Sequence, residues 1–226
     1  MKCILYFLIF TFALTLHAQR TDFNEISFEK ADKIAQRYKG EDLSSLPILT
    51  LRLTAQLETD VERFRAIYSW VCRNIKGDYN LTSENEHKRR KFKNSPEALA
   101  LWNEQCKRQV FKRLREDKET LCTGYAFLVK DLANLAGIEC EIVHGYGRMN
   151  GAKFADTAMA NHSWNAVKLN GKWYLCDATW SSGIIDMNTY LFEFDFDDSF
   201  FLMHPQEFAK SHQPTEQQWT LLGPEQ

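Results

Sequence analysis

Between Thr59 and Ile75 the apolar positions Val61, Phe64, Ile67, Tyr68, Val71, Cys72 and Ile75 recur at the three- and four-residue spacing of a helix with a buried face. Thr59, followed three residues later by Glu62, adds a capping box at its start. A shorter helical pattern, SFEKADKIAQR, covers Ser27 to Arg37, and a polar loop with Gly40 and Pro47 follows it. The stretch from Gly77 to Asn94 is so charged and so poor in apolar positions that it reads as a loop. Ser95-Pro96-Glu97 has the cap, first-turn proline and acid of a helix start, and that helix runs through Leu99 and Trp102 towards Arg113. The segment ETLCTGYAFLVKDLANLAG predicts a buried helix from about Cys122 to Ala136, with Gly137 as its C-cap.

At Gly137 the period changes. Ile138 to Tyr146 alternates as a strand, and NHSWNAVKLNGKWYLCDATW predicts a hairpin, because Asn170-Gly171 is the preferred pair for a two-residue type I′ turn. A two-residue loop sets Leu169 opposite Lys172. Extended to the strand ends, that register sets His162 opposite Thr179 and Asp177 opposite Trp164, with His162 and Asp177 as diagonal neighbours on one face. LFEFDFDDSFF reads as a strand and turn; its carboxylates lack the glycine and spacing of an EF-hand loop. The expected fold class is α+β, with residues 19–94 as a helical N-terminal part and 95–226 as the core with a C-terminal tail block.

Composition is that of an ordinary globular chain, 44% apolar and 26% charged over 226 residues, which suits one domain. The formal charge of −2 and the lack of a basic excess argue against a nucleic-acid partner, and the run Lys88, Arg89, Arg90, Lys91, Lys93 reads as a solvated surface. Met1-Lys2, the apolar run Ile4 to Leu16 and the small residue Ala18 read as a secretory signal peptide, residues 1–18, too short to span a bilayer. A secreted or periplasmic protein with no membrane span after cleavage is therefore expected. Removing Cys3 leaves Cys72, Cys106, Cys122, Cys140 and Cys176, an odd set that requires at least one unpaired thiol or an intermolecular bridge. Cys72, on an apolar helix face, reads as a core residue. No C-x-x-C pair or other metal or cofactor motif is present.

A histidine held by a carboxylate is the second half of a nucleophilic relay, in which the carboxylate orients the imidazole and the other ring nitrogen meets the nucleophile. Cys122 is the candidate nucleophile, since a predicted helix start lowers a thiol's pKa and supplies amides for an oxyanion. Singly, each of the three residues reads as structural; together, in this order and placement, they point to a Cys122, His162, Asp177 triad. His144 and His204 read as structural, and His212 as a cap or docking residue for the tail. Asn80-Leu81-Thr82 and Asn161-His162-Ser163 are glycosylation sequons, the second at odds with an open site at His162.

Cys122-Thr123-Gly124-Tyr125, His162-Ser163-Trp164-Asn165, Trp173-Tyr174 and Asp177-Ala178-Thr179-Trp180 resemble the core blocks of the transglutaminase-like superfamily. Arg65-Ala66-Ile67-Tyr68-Ser69-Trp70 and a tail running from Phe201-Leu202 through His204-Pro205-Gln206-Glu207-Phe208 to His212, Pro214 and Trp219 resemble its kyphoscoliosis-peptidase-like branch. The likeness extends from about Ser27 to Leu222. It implies a papain-like core, with a cysteine-bearing helix on an antiparallel sheet carrying the histidine and aspartate. It also implies Cys122 as nucleophile, His162 as base and acid, Asp177 as orienting carboxylate, and a protein or peptide substrate. The activity expected is amide hydrolysis or acyl transfer through a thioester, with protein-glutamine transglutaminase or a non-catalytic binding module of the same fold as the alternatives. Lys118-Glu119-Thr120-Leu121 departs from the arginine, glycine and small residue that members commonly carry before the cysteine. No second oxyanion donor is singled out among Trp102, Gln105 and Gln109.

Overall fold

The computed structural model describes residues 19–148 and 159–223, so the expected signal peptide lies outside the described residues. Helices α1 (Glu29–Arg37), α2 (Leu46–Thr54) and α3 (Asp60–Asn74) lead to a two-residue strand β1 (Lys76–Gly77), then α4 (Tyr79–Phe92) and α5 (Pro96–Asp117). Strand β2 (Glu119–Thr120) precedes α6 (Cys122–Leu135). Three strands follow, β3 (Cys140–Gly147), β4 (His162–Leu169) and β5 (Lys172–Cys176), then α7 (Ala178–Ser182), β6 (Gly183–Ile185), β7 (Phe192–Phe194), α8 (Pro205–Phe208) and β8 (His212–Pro214). The main sheet is antiparallel in the order β5-β4-β3-β8. Helix α6 packs across β3 and β4, and α3 packs on α6 and α7. This is the α+β arrangement expected of the transglutaminase-like core.

The Thr59–Glu62 capping box is present. From Phe64 to Cys72, however, α3 is buried on every side rather than along one stripe, because α1, α2, α6 and α7 all close on it. That burial includes a charge. The Arg65 guanidinium, 4% exposed, donates from Nε and Nη2 to both carboxylate oxygens of Asp32 at 2.7 and 3.0 Å, and pairs with Asp198 through Nη1. Phe201 lies 4.8 Å beneath it. A buried cation is tolerated only when paired and hydrogen-bonded in this way. The ion pairs fasten α1 and the segment after β7 to α3.

Two helices depart from expectation. The supposed loop with Pro47 contains α2, whose proline occupies the first turn, where its missing N–H costs nothing, and whose Leu49 and Leu53 reach the core. The charged stretch expected as a loop is α4. Its Asp78 N-cap accepts from Leu81 N at 3.0 Å, and only Leu81 is buried among its residues, so strong helix formers and a cap outweigh the weak apolar pattern. Helix α4 packs on α5, where Leu81 joins Trp102, Cys106 and Val110.

The hairpin has the expected register, Leu169 opposite Lys172 and Asn165 opposite Cys176, and both Asn170 (φ 50°) and Gly171 (φ 80°) adopt the positive φ of a type I′ turn. Pairing stops at Cys176. Asp177 leaves the strand as N-cap of α7, accepting from the amides of Thr179 and Trp180, so the pairings of His162 with Thr179 and of Asp177 with Trp164 do not form. His162 is instead opposite Gly145 on β3.

Replacing Arg65 with Ala strands two carboxylates beneath α3. Because both are about a third exposed, 35% and 33%, the expected loss is at the low end of the ~3–5 kcal/mol for breaking a buried pair. Urea unfolding of the variant, with an unchanged m value, checks this.

Candidate active site

Cys122 is the first residue of α6. Its N-cap, Leu121, is extended and supplies no side-chain cap, so no side chain covers the first-turn amides beside the thiol. The approach is fixed by β1 and β2, where Lys76 N donates to Lys118 O and Asp78 N to Thr120 O, both at 2.8 Å. The departure noted at Lys118-Glu119-Thr120-Leu121 thus forms β2 and the N-cap. It also explains Gly124, since a Cβ there would stand 1.9 Å from Thr120 Oγ1.

His162 opens β4, 9% exposed, and its Nε2 lies 2.6 Å from Asp177 Oδ2. Cys122 lines the same two cavities as His162, and with Nε2 taken by Asp177 the ring nitrogen left for the thiol is Nδ1. Space for the ring comes from Gly147 on β3, where a Cβ would stand 2.9 Å from it. Asp177 is 0% exposed. Its Oδ1 accepts from the amides of Thr179 (2.8 Å) and Trp180 (3.3 Å), and the Tyr68 hydroxyl on α3 donates to its main-chain carbonyl at 2.9 Å. Asn165, three residues from His162 on the same strand, donates from Nδ2 to Ala126 O on α6 (2.9 Å) and Glu141 O on β3 (3.2 Å). That amide fixes the histidine strand against the cysteine helix.

The electrostatics separate this thiol from the others. Burial alone drives a thiol's pKa up, and it does so for Cys72, Cys140, Cys176 and Cys106, the last to about 11. Burial pushes Cys122 the same way, but the hydrogen bond and charge of His162, with a backbone bond from Ser163, reverse it and leave the thiol below its ordinary value. Burial lowers His162, yet the Asp177 carboxylate and the thiol outweigh it and raise the imidazole to about 10. Burial would raise Asp177, and the His162 charge with both histidine hydrogen bonds holds it well below the usual carboxylate range. All five cysteines among the described residues are free thiols.

From the sequence alone, His212 reads as a cap or docking residue for the tail. The structure places it in the site, 2% exposed on β8, with Nε2 3.0 Å from the same Asp177 Oδ2 and Nδ1 2.8 Å from Ser211 Oγ. Its ring stacks on Phe208 with centroids 3.9 Å apart. The available signal was a histidine in the tail block that resembles the family's, but nothing local connects it with a residue thirty-odd positions earlier. His144 bonds Ser163 Oγ at 2.9 Å, and His204 caps α8 by accepting from Gln206 N. Trp102 is buried with Nε1 donating to Asn85 Oδ1 at 3.0 Å, and Gln105 and Gln109 are exposed on α5, so none of the three lines the cleft. Asn161 of the second sequon engages the backbone N–H and C=O of Gly147 with its amide.

His162, Asp177 and His212 are the one cluster of possible metal ligands among the described residues. They do not fit a cation. The two imidazole nitrogens lie 2.6 and 3.0 Å from one carboxylate oxygen, closer than the roughly 3.3 Å between neighbouring ligands of a tetrahedral zinc, and each is a hydrogen-bond partner of that oxygen.

A half-buried thiol on a helix N-terminus, an imidazole on an adjoining antiparallel strand and a buried carboxylate make this a site of the thiol, imidazole and carboxylate class. The family model of the transglutaminase-like superfamily matches residues 48–178, more than half of the chain. The chain belongs to that superfamily. It is 34% identical to kyphoscoliosis peptidase of Homo sapiens over 88% of its own length and 27% of the relative's. It is 27% identical to hillarin of Drosophila melanogaster over 87% of the chain and 23% of the relative. With the Lim and transglutaminase domain protein ltd-1 of Caenorhabditis elegans the identity is 24%, over 86% of the chain and 26% of the relative. The chain thus spans about a quarter of the length of these relatives.

Gly147→Ala tests the space left for the ring. The added methyl displaces the imidazole, so the rate of Cys122 alkylation near neutral pH falls several-fold while the circular dichroism spectrum stays unchanged; an unaltered rate would show that the ring has room to move.

Proposed function

We propose that this chain is an exported cysteine-dependent amide hydrolase or acyltransferase acting on protein or peptide substrates, with Cys122 as nucleophile, His162 as acid and base, and Asp177 as orienting carboxylate. One observation carries the reading: of the five free thiols among the described residues, only Cys122 opens a helix beside an imidazole that a buried carboxylate holds, and it alone is lowered while burial pushes the other four up. Reactive cysteines occupy such electropositive, partly accessible positions, and inert ones do not. Kyphoscoliosis peptidase, similar over most of the chain, bears a name consistent with amide cleavage.

In this mechanism the Cys122 thiolate attacks the amide carbon and a C–S bond forms. The oxyanion of the tetrahedral adduct is stabilised by the amides that open α6. As the C–N bond breaks, the His162 imidazolium gives its Nδ1 proton to the departing nitrogen, leaving a thioester. Water then loses a proton to His162 as it attacks the thioester, and the thiolate departs with a free acid as product. An amine in place of water gives transamidation. Asp177 keeps Nε2 protonated throughout and stabilises the imidazolium. Export rests on the sequence of residues 1–18; no helix of the described residues is long and apolar enough to cross a membrane.

Replacing Cys122 with Ala abolishes turnover of amide substrates, and activity surviving that change sinks the assignment. In the unmodified protein, iodoacetamide labels Cys122 several-fold faster at pH 7 than it labels a free cysteine, and His162→Ala removes the excess.

The pH dependence follows from the shifted imidazole. Its pKa is raised from 6.5 to about 10, so the proton it donates to the leaving group is held through neutral pH and lost as pH rises through about 10. The profile of kcat/KM therefore falls on its alkaline side near pH 10, and the fold's stability loses the same contribution over that rise, having it in full below about pH 6.5. An alkaline limb near 7 would contradict the ion pair.

A further inference from the structure

Two cavities meet at Leu121, Cys122, Asn161 and His162, one of about 290 Å³ and the other of about 350 Å³. Their chemistry is opposite. The first is walled by Tyr79, Trp180, Ile185 and Phe192, and its charged lining residues are acidic, Asp78 and Glu86. Asp78 is already committed to Arg113, 2.9 Å away, and to the cap of α4. The second is lined by Arg89 of α4 and Lys107 of α5, with His144 between β3 and the cleft, and by no carboxylate among the described residues.

Among the described residues the cations of the second cavity have no ion-pair partner. Arg89 holds its position by donating from Nη1 to Ala160 O at 2.8 Å, next to Asn161, but has no ion pair among the described residues, and its buried Nε has no partner. Lys107 is exposed and likewise has no ion pair among them. A half-buried guanidinium bound only to a neutral carbonyl retains most of its donors for an anion, and a carboxylate is its best geometric match. Helix α4, expected as a loop, is what brings Arg89 to the cleft.

We infer that the cleft binds an extended polypeptide across Cys122 with an acidic side chain, Asp or Glu, in the Arg89–Lys107 cavity and a large apolar side chain in the Tyr79–Trp180–Phe192 cavity. This rests on the proposed amide chemistry for its meaning as substrate selection, but the recognition itself is a property of the cleft. The reacting amide lies between the two anchors, so the acid and the apolar residue flank it on opposite sides. The same basic cavity repels a cationic side chain, so a lysine in the acidic position is selected against.

The test has a binding arm and a turnover arm. Fluorescent peptides that differ only in carrying Glu, Gln or Lys on one side of a Phe-containing core are titrated into the Cys122→Ala protein by anisotropy, and the same peptides with a quencher are offered to the unmodified protein. The Glu peptide binds about tenfold tighter than the Gln peptide, as a charge-assisted bond in a cleft implies, and the Lys peptide binds weakest. The Glu-to-Gln ratio narrows in Cys122→Ala/Lys107→Gln, which loses the exposed cation and keeps Arg89, and inverts towards Lys in Cys122→Ala/Arg89→Glu. Raising the salt concentration narrows the ratio. Equal binding of the three peptides, or a ratio unmoved by both cavity variants, overturns the inference even if the unmodified protein cleaves all of them. Selective binding without turnover by the unmodified protein leaves the inference standing and overturns the proposed amide chemistry.

Discussion

A carboxylate with no exposure at all is the constraint around which the site is arranged. Asp177 takes two backbone amides on Oδ1 and two imidazoles on Oδ2, which is the full complement a buried carboxylate needs to remain ionised. The four donors come from three pieces of chain: the start of α7, the start of β4 and the tail strand β8. The charge therefore dictates that β5 stop at Cys176, that α7 begin where it does, and that the C-terminal segment return to the sheet beside β3. Losing any donor would leave a buried charge under-solvated, a penalty of the order of 1–3 kcal/mol or more for a charged group.

The helical layer is tied to this point by polar contacts inside an apolar core. Tyr68 on α3 holds the carbonyl of Asp177, Tyr125 on α6 donates to Ile75 O at 2.7 Å while accepting from Ser182 Oγ at 3.0 Å, and Asn165 spans from β4 to α6 and β3. Burial raises both tyrosines, so they are neutral donors at any ordinary pH. Apolar packing of α3 and α6 supplies attraction without direction; these hydrogen bonds select the one docking that brings the first residue of α6 to the first residue of β4. Arg65 extends the same logic outwards by pinning α1 to α3.

Much of this was legible in the chain because the signals were local. The Thr59 capping box, the Asn170-Gly171 turn and the helix start at Cys122 each fix geometry within a few residues, and the turn sets the hairpin register as far as Asn165 opposite Cys176. What failed did so for non-local reasons. Extending the hairpin register past Cys176 assumed that the strand continues, whereas the carboxylate's demand for amides bends the chain into α7. Helix α4 carries almost no apolar pattern, since it needs only Leu81 to dock on α5, and α2 was hidden by a proline that sits harmlessly in its first turn. His212 was placed in the tail but not at the site, because its partner is known only once β8 pairs with β3.

Two histidines share one carboxylate, and the fold decides which of them carries a charge. A single negative charge compensates a single imidazolium at close range, so protonating both would leave a buried cation unpaired. His212 has a completely buried side chain, walled by Phe208, Trp164 and Trp180, and burial lowers its pKa despite the hydrogen bond to Asp177. His162 keeps 8% of its side chain at the cleft and has the thiol as a second electronegative partner, and its pKa rises. The positive charge therefore settles on the ring beside Cys122, while His212 donates as a neutral imidazole. A neutral donor steadies Asp177 without cancelling its charge, so the field that holds a proton on His162, and hence favours the thiolate, is preserved. An aspartate held by a second cation would have been equally rigid and electrostatically spent.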